Sequence, residues 1–526
     1  RIISHRSEMG QGIRTGLPAV LADEMEADWA RVVVEQATAD AKYGDQNTDG
    51  SHSVRDFMQR MREAGATVRR MLEQSAARQW SVDVGECRAE LHTVVHQPSG
   101  RVLDYSELVA GAAELPVPGL EQLALKSRDQ FRYIGKELPI VDMHDMTHGT
   151  ANYGADTRLP GMKFAAIARP PVVFGKVKSY DATAALAVAG VEQVIEIPAA
   201  EPPAMYKALG GLAVIASNTW AALKGRDLLS VEWDDGANAD YDSTAYKAAL
   251  LEAVRQPGTA VRNEGDAEAA LTGAAQTVAA EYYAPHLAHA PMEPPAAVAS
   301  VTPEFCEIWA PVQDPQSLIP MAEAVSGLTP AQIRINVTLL GGAFGRKSKC
   351  DFAEEAVYLS KQLGAPVLVQ WSREDDIRHD YFHSVSAQRL EAGLDESGSV
   401  TAWRHRLCYP SIFSTFDAST REPVPLELGL GAQNLPYAIP NLRLETGPIE
   451  AKVRIGWLRS VCNIFQSFAI NSFSDEIAHA RGADPLDNLL QLLGSDREID
   501  VAALGLEATE NYPFETGRLR NVIQLV

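Results

Sequence analysis

The run Gly341-Gly342-Ala343-Phe344-Gly345-Arg346-Lys347 most restricts how this chain can fold, because it joins an apolar strand expected over Arg334–Leu340 to an amphipathic helix expected over Asp351–Leu363. Glycines at such a junction permit positive φ and close approach of a ligand. The following helix adds the partial positive charge of its N-terminus, so the element suits an anion. An ordinary tight turn with two neighbouring basic residues explains the same pattern. Gly341 and Gly345 are separated by three residues and Arg346 precedes Lys347, so the run is not a G-x-x-x-x-G-K-[ST] loop, nor does it fit G-x-G-x-x-G. A nucleoside-triphosphate enzyme and a nicotinamide dehydrogenase are both disfavoured.

A second glycine loop, Glu8-Met9-Gly10-Gln11-Gly12, follows the strand-like Ile2-Ile3 and precedes Leu17, Val20, Leu21, Glu24 and Met25 at helical spacing. A buried Gln11 there could both donate to and accept from a polar heterocycle. Val32–Val34 reads as a strand. Gly50-Ser51-His52-Ser53 leads into a long amphipathic helix over Ser53–Trp80, where Ser51 or Ser53 serves as an N-cap or contacts a ligand.

With 526 residues, 46% of them hydrophobic, the chain can bury several cores. An arm over Phe131–Pro139 leads into a piece rich in β-branched runs over Val141–Gly236, and turn residues cluster at Asp234–Asn238. From Tyr241 to Leu493 the pattern alternates, with helices at Ala245–Arg255 and Leu318–Val325 and strands at Glu307–Val312 and Arg334–Leu340. The class is α+β, a mixed α/β arrangement of several domains.

The 47 basic against 69 acidic residues give a net charge of −22, which opposes nucleic-acid binding. A local cluster, Arg346, Lys347 and Lys349, could still hold a small phosphate, because the attraction acts over only about 8 Å at physiological salt. Apolar stretches are interrupted, as by Gly190 and Glu192, so no membrane span is expected. Cys87, Cys306, Cys350, Cys408 and Cys462 are isolated and form no C-x-x-C pair, which points to free buried thiols and no iron–sulfur cluster. His286 and His289 lack the further partners a metal site requires. Arg1 is not an initiator methionine, so the native chain is expected to extend upstream, and either a cytoplasmic or an exported location stays open.

Both glycine loops, together with Trp309-Ala310-Pro311-Val312-Gln313 and Gly456-Trp457-Leu458-Arg459, resemble the molybdopterin-binding large subunit of the xanthine dehydrogenase and aldehyde oxidase superfamily. The M-G-Q-G element stands before the G-G-x-F-G loop here, an order similar to the isoquinoline 1-oxidoreductase beta-subunit branch. Arg132–Lys136, Arg169-Pro170-Pro171, Trp220–Arg226, His289–Pro294 and Arg373–Asp376 agree with that branch.

The resemblance implies a permuted cofactor-binding segment over 1–130, a hammerhead-like α/β domain over 131–236, a main cofactor-binding domain over 241–495 and the start of a further one over 496–526. It implies cofactor contacts from Gly10, Gln11, Gly12, Ser51, Ser53, Gln313, Gly342, Ala343, Phe344 and Arg459, with Gln313 and Arg459 as active-site candidates. Molybdenum would be held through a molybdopterin, in its cytosine dinucleotide form, with no protein ligand. The implied activity is hydroxylation of N-heteroaromatic compounds or oxidation of aldehydes with water as the oxygen source, with electrons leaving to a small partner subunit that carries two iron–sulfur clusters. The family's base is a glutamate in a G-x-G-E element. The chain contains none, and Glu86 in Val84-Gly85-Glu86-Cys87 is no substitute. Truncation at both ends is the expected reason, and a fragment lacking the base is expected to be inactive alone. The alternatives are a non-catalytic cofactor-binding paralogue and a phosphate-binding α/β enzyme.

Overall fold

The computed structural model describes residues 1–506 and 513–526. Its central layer is a seven-stranded mixed sheet in the order Ile333–Val337, Cys306–Ala310, Ala296–Val301, Val367–Gln370, Lys163–Ala168, Gly211–Ala216 and Val191–Ile197. Ala, Val and Ile fill these strands because most of the sheet is covered on both faces, and Ala296–Ala299 and Leu212–Ala216 are fully buried. The helix Asp351–Leu363 lays Phe352, Ala356, Val357 and Leu359 into that core. The sheet crosses the boundary expected at 236–241, since Lys163–Ala165 pairs in parallel with Val367–Val369.

A second, five-stranded sheet runs in the order Thr259–Glu264, Asn441–Thr446, Val400–Cys408, Ser386–Leu394 and Gln276–Ala284. Trp403, Leu390 and Leu442 pack there against Phe473 and Ile477 of the helix Asn463–Arg481. The N-terminal region joins a short parallel pair, Ile2–Ser4 with Val34–Gln36, to α1 (Ile13–Glu24), α2 (His52–Trp80) and a three-stranded sheet over 87–104. Gly65 lets α1 and α2 approach closely, because a Cβ there would strike the Leu21 carbonyl. Buried Asp23 accepts from the amides of Arg132, Tyr133 and Ile134, which ties the arm to α1.

The expected elements are present with shifted ends. The strand expected at Val32–Val34 begins at Val34, because a turn capped by the Asp28 carboxylate occupies Trp29–Arg31. The strand expected to reach Val312 stops at Ala310, since Pro311 has no N–H to donate. The helix Asp351–Leu363 has the bounds its periodicity predicts. All five cysteines are buried and free.

One ion pair joins the two segments of the large sheet. Arg169, at the end of its strand, donates to both oxygens of Glu355 at 2.8 and 2.6 Å, stacks on Trp371 at 3.7 Å, and Trp371 Nε1 donates to the same carboxylate at 2.8 Å. Arg169→Met leaves a buried carboxylate without its cation and should cost about 3 kcal/mol in urea unfolding.

His405 is fully enclosed, and burial lowers its pKa to about 3. The folded protein keeps the imidazole neutral, whereas the unfolded chain protonates it below about 6.5. Its share of stability is therefore complete above that value and is lost as pH falls towards 3. His405→Asn should flatten the loss of unfolding free energy between pH 6 and 4 by about 1.4 kcal/mol per pH unit.

Candidate functional site

Parallel pairing sets the site. Ala310 lies opposite Val337, so the chain leaving each strand emerges on the same edge of the sheet, outside the carboxyl ends where α/β folds hold ligands. One exit carries Gln313 and the other carries the Gly341 loop. Gln313 is buried, its Nε2 donates to the Thr48 carbonyl at 2.9 Å, and its Oε1 accepts from the Gly345 amide at 3.0 Å. Thr48 in turn accepts from the Ser7 amide through its hydroxyl at 2.9 Å, and the Leu340 amide donates to the Glu8 carbonyl at 3.0 Å. Two glycine loops more than 300 residues apart thus meet around a single amide side chain.

The first loop is closed on itself. Glu8 is buried and receives the amides of Gly10 and Gly12, both at 2.9 Å, and of Arg14 at 3.0 Å. A carboxylate of the chain therefore takes the anion position at the N-terminus of α1. Gln11 accepts from the Met9 amide and donates to the Ser7 carbonyl, while Gly10 and Gly12 turn through φ of 102° and 80°. Any ligand here meets the outer surface of this loop.

In the second loop the basic residues point inward, which corrects the expectation of a phosphate cluster. Arg346 forms a bidentate pair with Asp351 at 2.8 and 3.0 Å and reaches Asp380 at 3.1 Å. Lys347 pairs with Glu293 at 2.6 Å. Lys349 is fully buried, donates to the Gly345 carbonyl, and has its pKa lowered to about 7 by burial and by the Arg346 charge. Glu293 also accepts the Gly341 amide at 3.0 Å. The amides of Ala343 and Phe344 find no protein acceptor among the described residues. Phe344 holds φ at 57° and leaves its ring partly exposed.

Arg459 meets the same loop from the other side, its amide donating to the Phe344 carbonyl at 2.8 Å. Its guanidinium is exposed and makes no hydrogen bond or ion pair among the described residues. Ser460 and Val461 follow at φ of 73° and 49°, a strained conformation for a hydroxyl and a β-branched residue. His289 supports the turn: Nδ1 contacts Asp380 at 2.9 Å and Nε2 contacts the Trp457 carbonyl at 3.0 Å. A side chain at Gly345 would collide with that carbonyl, which explains the glycine.

Ser53 accepts from Arg6 Nε at 2.9 Å, whereas Ser51 starts α2 at φ 60° with no capping bond from its side chain. Tyr153 bridges to Leu339 and Gly154 packs on Pro311, so the segment around Gly149, Ala151 and Asp156 runs between the two strand exits. Thr48 and Asp380 were not singled out in the sequence; Glu8, His289 and Glu293 stood inside named motifs, but their hydrogen-bonding roles were not read there. The two unused amides and the orphaned buried atoms Arg6 Nη2, Ser7 Oγ and Asn47 Oδ1 fit a large polar cofactor laid over the loops.

Gln313→Ala leaves the Gly345 amide and the Thr48 carbonyl unpaired and should lower the unfolding free energy by about 3 kcal/mol. Gln313→Glu keeps the acceptor but sets a buried carboxylate oxygen against the Thr48 carbonyl, so it should cost at least as much at neutral pH and less as the carboxyl protonates, by the same urea titration.

The model of the molybdopterin cofactor-binding domain matches residues 253–488 and a second such model matches residues 1–157. Isoquinoline 1-oxidoreductase subunit beta of Brevundimonas diminuta is 29% identical over 92% of this chain and 67% of that protein. A membrane-bound aldehyde dehydrogenase (pyrroloquinoline-quinone) of Gluconacetobacter polyoxogenes is 30% identical over 93% of this chain and 64% of its own length. The quinoline 2-oxidoreductase structure from Pseudomonas putida 86 shares the fold at a TM-score of 0.53 and 20% identity, over 68% of this chain and half of that one. The chain therefore spans about two thirds of the two curated relatives and half of the solved one. Together the two models cover more than half of the chain, which belongs to the molybdopterin cofactor-binding domain family.

Proposed function

We propose that the chain is the molybdenum-cofactor-binding part of an oxidoreductase that hydroxylates N-heteroaromatic compounds or oxidises aldehydes with water as the oxygen source. The observation that carries this reading is that Gln313 ties the Gly341 loop to Thr48, which holds the Ser7 amide beside the first glycine loop, while the Ala343 and Phe344 amides have no protein acceptor among the described residues. The cofactor, in its cytosine dinucleotide form, would supply the two-electron redox centre.

The chain's own residues bind and orient. Gly10, Gln11 and Gly12 present the outer face of a rigid turn, and in the second loop Gly342, its amide held by the Leu340 carbonyl, turns the chain at φ 80° so that the Ala343 and Phe344 amides offer donors. Gln313 cannot rotate, because both ends of its amide are held, so its position is fixed before any ligand arrives. Arg459 adds a positive charge at the rim, where it can attract an electron-rich substrate atom. No residue is assigned as base, since the chain contains no G-x-G-E element. Each turnover releases two electrons, and none of the five isolated cysteines forms a cluster-binding motif, so a small subunit with two iron–sulfur clusters would receive them.

The test is to purify the native complex, count molybdenum and released pterin, and run turnover in 18O-labelled water. About one molybdenum per chain and 18O in the product are expected. Recovery of pyrroloquinoline quinone without molybdenum, or product whose new oxygen stays unlabelled, would sink the reading.

A further inference from the structure

Upstream of the first glycine loop lies a group of buried polar atoms that the fold leaves incomplete. Ser4, His5, Arg6 and Ser7 are all at most 4% exposed. Ser4 Oγ, His5 Nε2, Arg6 Nη2 and Ser7 Oγ have no hydrogen-bond partner among the described residues. Orphaned groups of this kind each cost folding free energy, and four in consecutive residues is an unusual concentration.

Arg6 shows which direction is open. Its Nε donates to Ser53 Oγ at 2.9 Å, and its Nη1 donates to the Asp45 carbonyl at 2.8 Å and to the Asp45 carboxylate at 3.1 Å. The flat face of the guanidinium lies over the Phe57 ring at 5.2 Å, and Arg60 lies over the same ring at 5.5 Å. The Nη2 edge remains. A guanidinium fixed on one edge and one face presents its last N–H groups in a defined direction, the arrangement that reads an oxygen of a phosphate. In the next residue Ser7 Oγ is a second buried donor without a protein partner among the described residues, and the Ser7 amide is already held by Thr48. His5 is neutral at physiological pH, because burial and the neighbouring Arg6 charge lower its pKa to about 4, so it can donate or accept without adding charge. Two carboxylates stand close in sequence or space: Glu8 is occupied by three backbone amides, and Asp45, whose side chain is 62% exposed, balances Arg6.

We propose that Arg6 and Ser7 hold a phosphate oxygen of the cofactor's nucleotide extension, with Ser53 and Phe57 fixing the guanidinium. This rests on the cofactor reading above, and it adds residues outside both glycine motifs. It also gives Ser53 a role through Arg6: orienting the guanidinium.

Ser7→Ala and Arg6→Lys test it. Ser7→Ala removes a hydroxyl that has no protein partner, so the cofactor-free protein should unfold at an unchanged or higher urea concentration. The loaded protein should lose its cofactor about tenfold faster during gel filtration, followed as molybdenum and released nucleotide per chain. Arg6→Lys keeps the charge but not the fork and should show the same accelerated loss. Inorganic pyrophosphate should raise the melting temperature of cofactor-free wild type and leave both variants unmoved, whereas a free pterin should not discriminate among the three. Retention equal to wild type in both variants would overturn the proposal and leave a buried water as the occupant. If the wild-type complex carries neither molybdenum nor pterin, the cofactor reading fails. The pyrophosphate shift then decides the phosphate site alone: its loss in both variants supports the site, and its absence in wild type overturns it.

Discussion

The rest of the site depends on the buried Gln313 amide, which accepts from Gly345 and donates to Thr48. A side-chain amide carries its acceptor and its donor on separate atoms, so it can satisfy an N–H and a carbonyl on two different segments at once, and a strand exit fixes where it stands. Remove that double contact and the N-terminal segment loses a direct hydrogen-bonded tie to the Gly341 loop. The Leu340–Glu8 pairing and the Ser7–Thr48 bond then lack the brace that sets their spacing.

Around this brace the protein places charge inside. Arg346, Lys347 and Lys349 are each completely buried, and the first two meet carboxylates of Asp351, Asp380 and Glu293. Such pairs add little net stability, since desolvation offsets the attraction, but they penalise any arrangement that separates them. Glu8 acts similarly at α1, where its carboxylate gathers three backbone amides. The loops are therefore rigid without a ligand. That rigidity suits a site that must hold a large cofactor in one orientation.

Much of this was legible in the sequence. The helix Asp351–Leu363 announces itself through a 3.6-residue apolar period, and the turn at Gly341–Gly345 through glycines that only positive φ and close packing explain. The family likeness was carried by short motifs whose order survives at low identity. Less visible was the inward turn of Arg346, Lys347 and Lys349, because a basic run reads as a surface feature until its carboxylate partners at 293, 351 and 380 are brought beside it. Arg6 gave no signal of its own, since its significance lies in one unpartnered nitrogen.

By itself the sequence determined where strands, glycine turns and helices occur, because propensity and periodicity act over a few residues. It also determined the absence of a C-x-x-C pair and of a G-x-G-E element. Only the tertiary structure decided that residues 1–157 and 253–488, matched separately as cofactor-binding domains, meet at one edge, and that the sheet runs on through residues 163–216. Strand pairing across long separations is settled by which buried donors and acceptors can all be satisfied together, a condition on the whole chain that no local window contains.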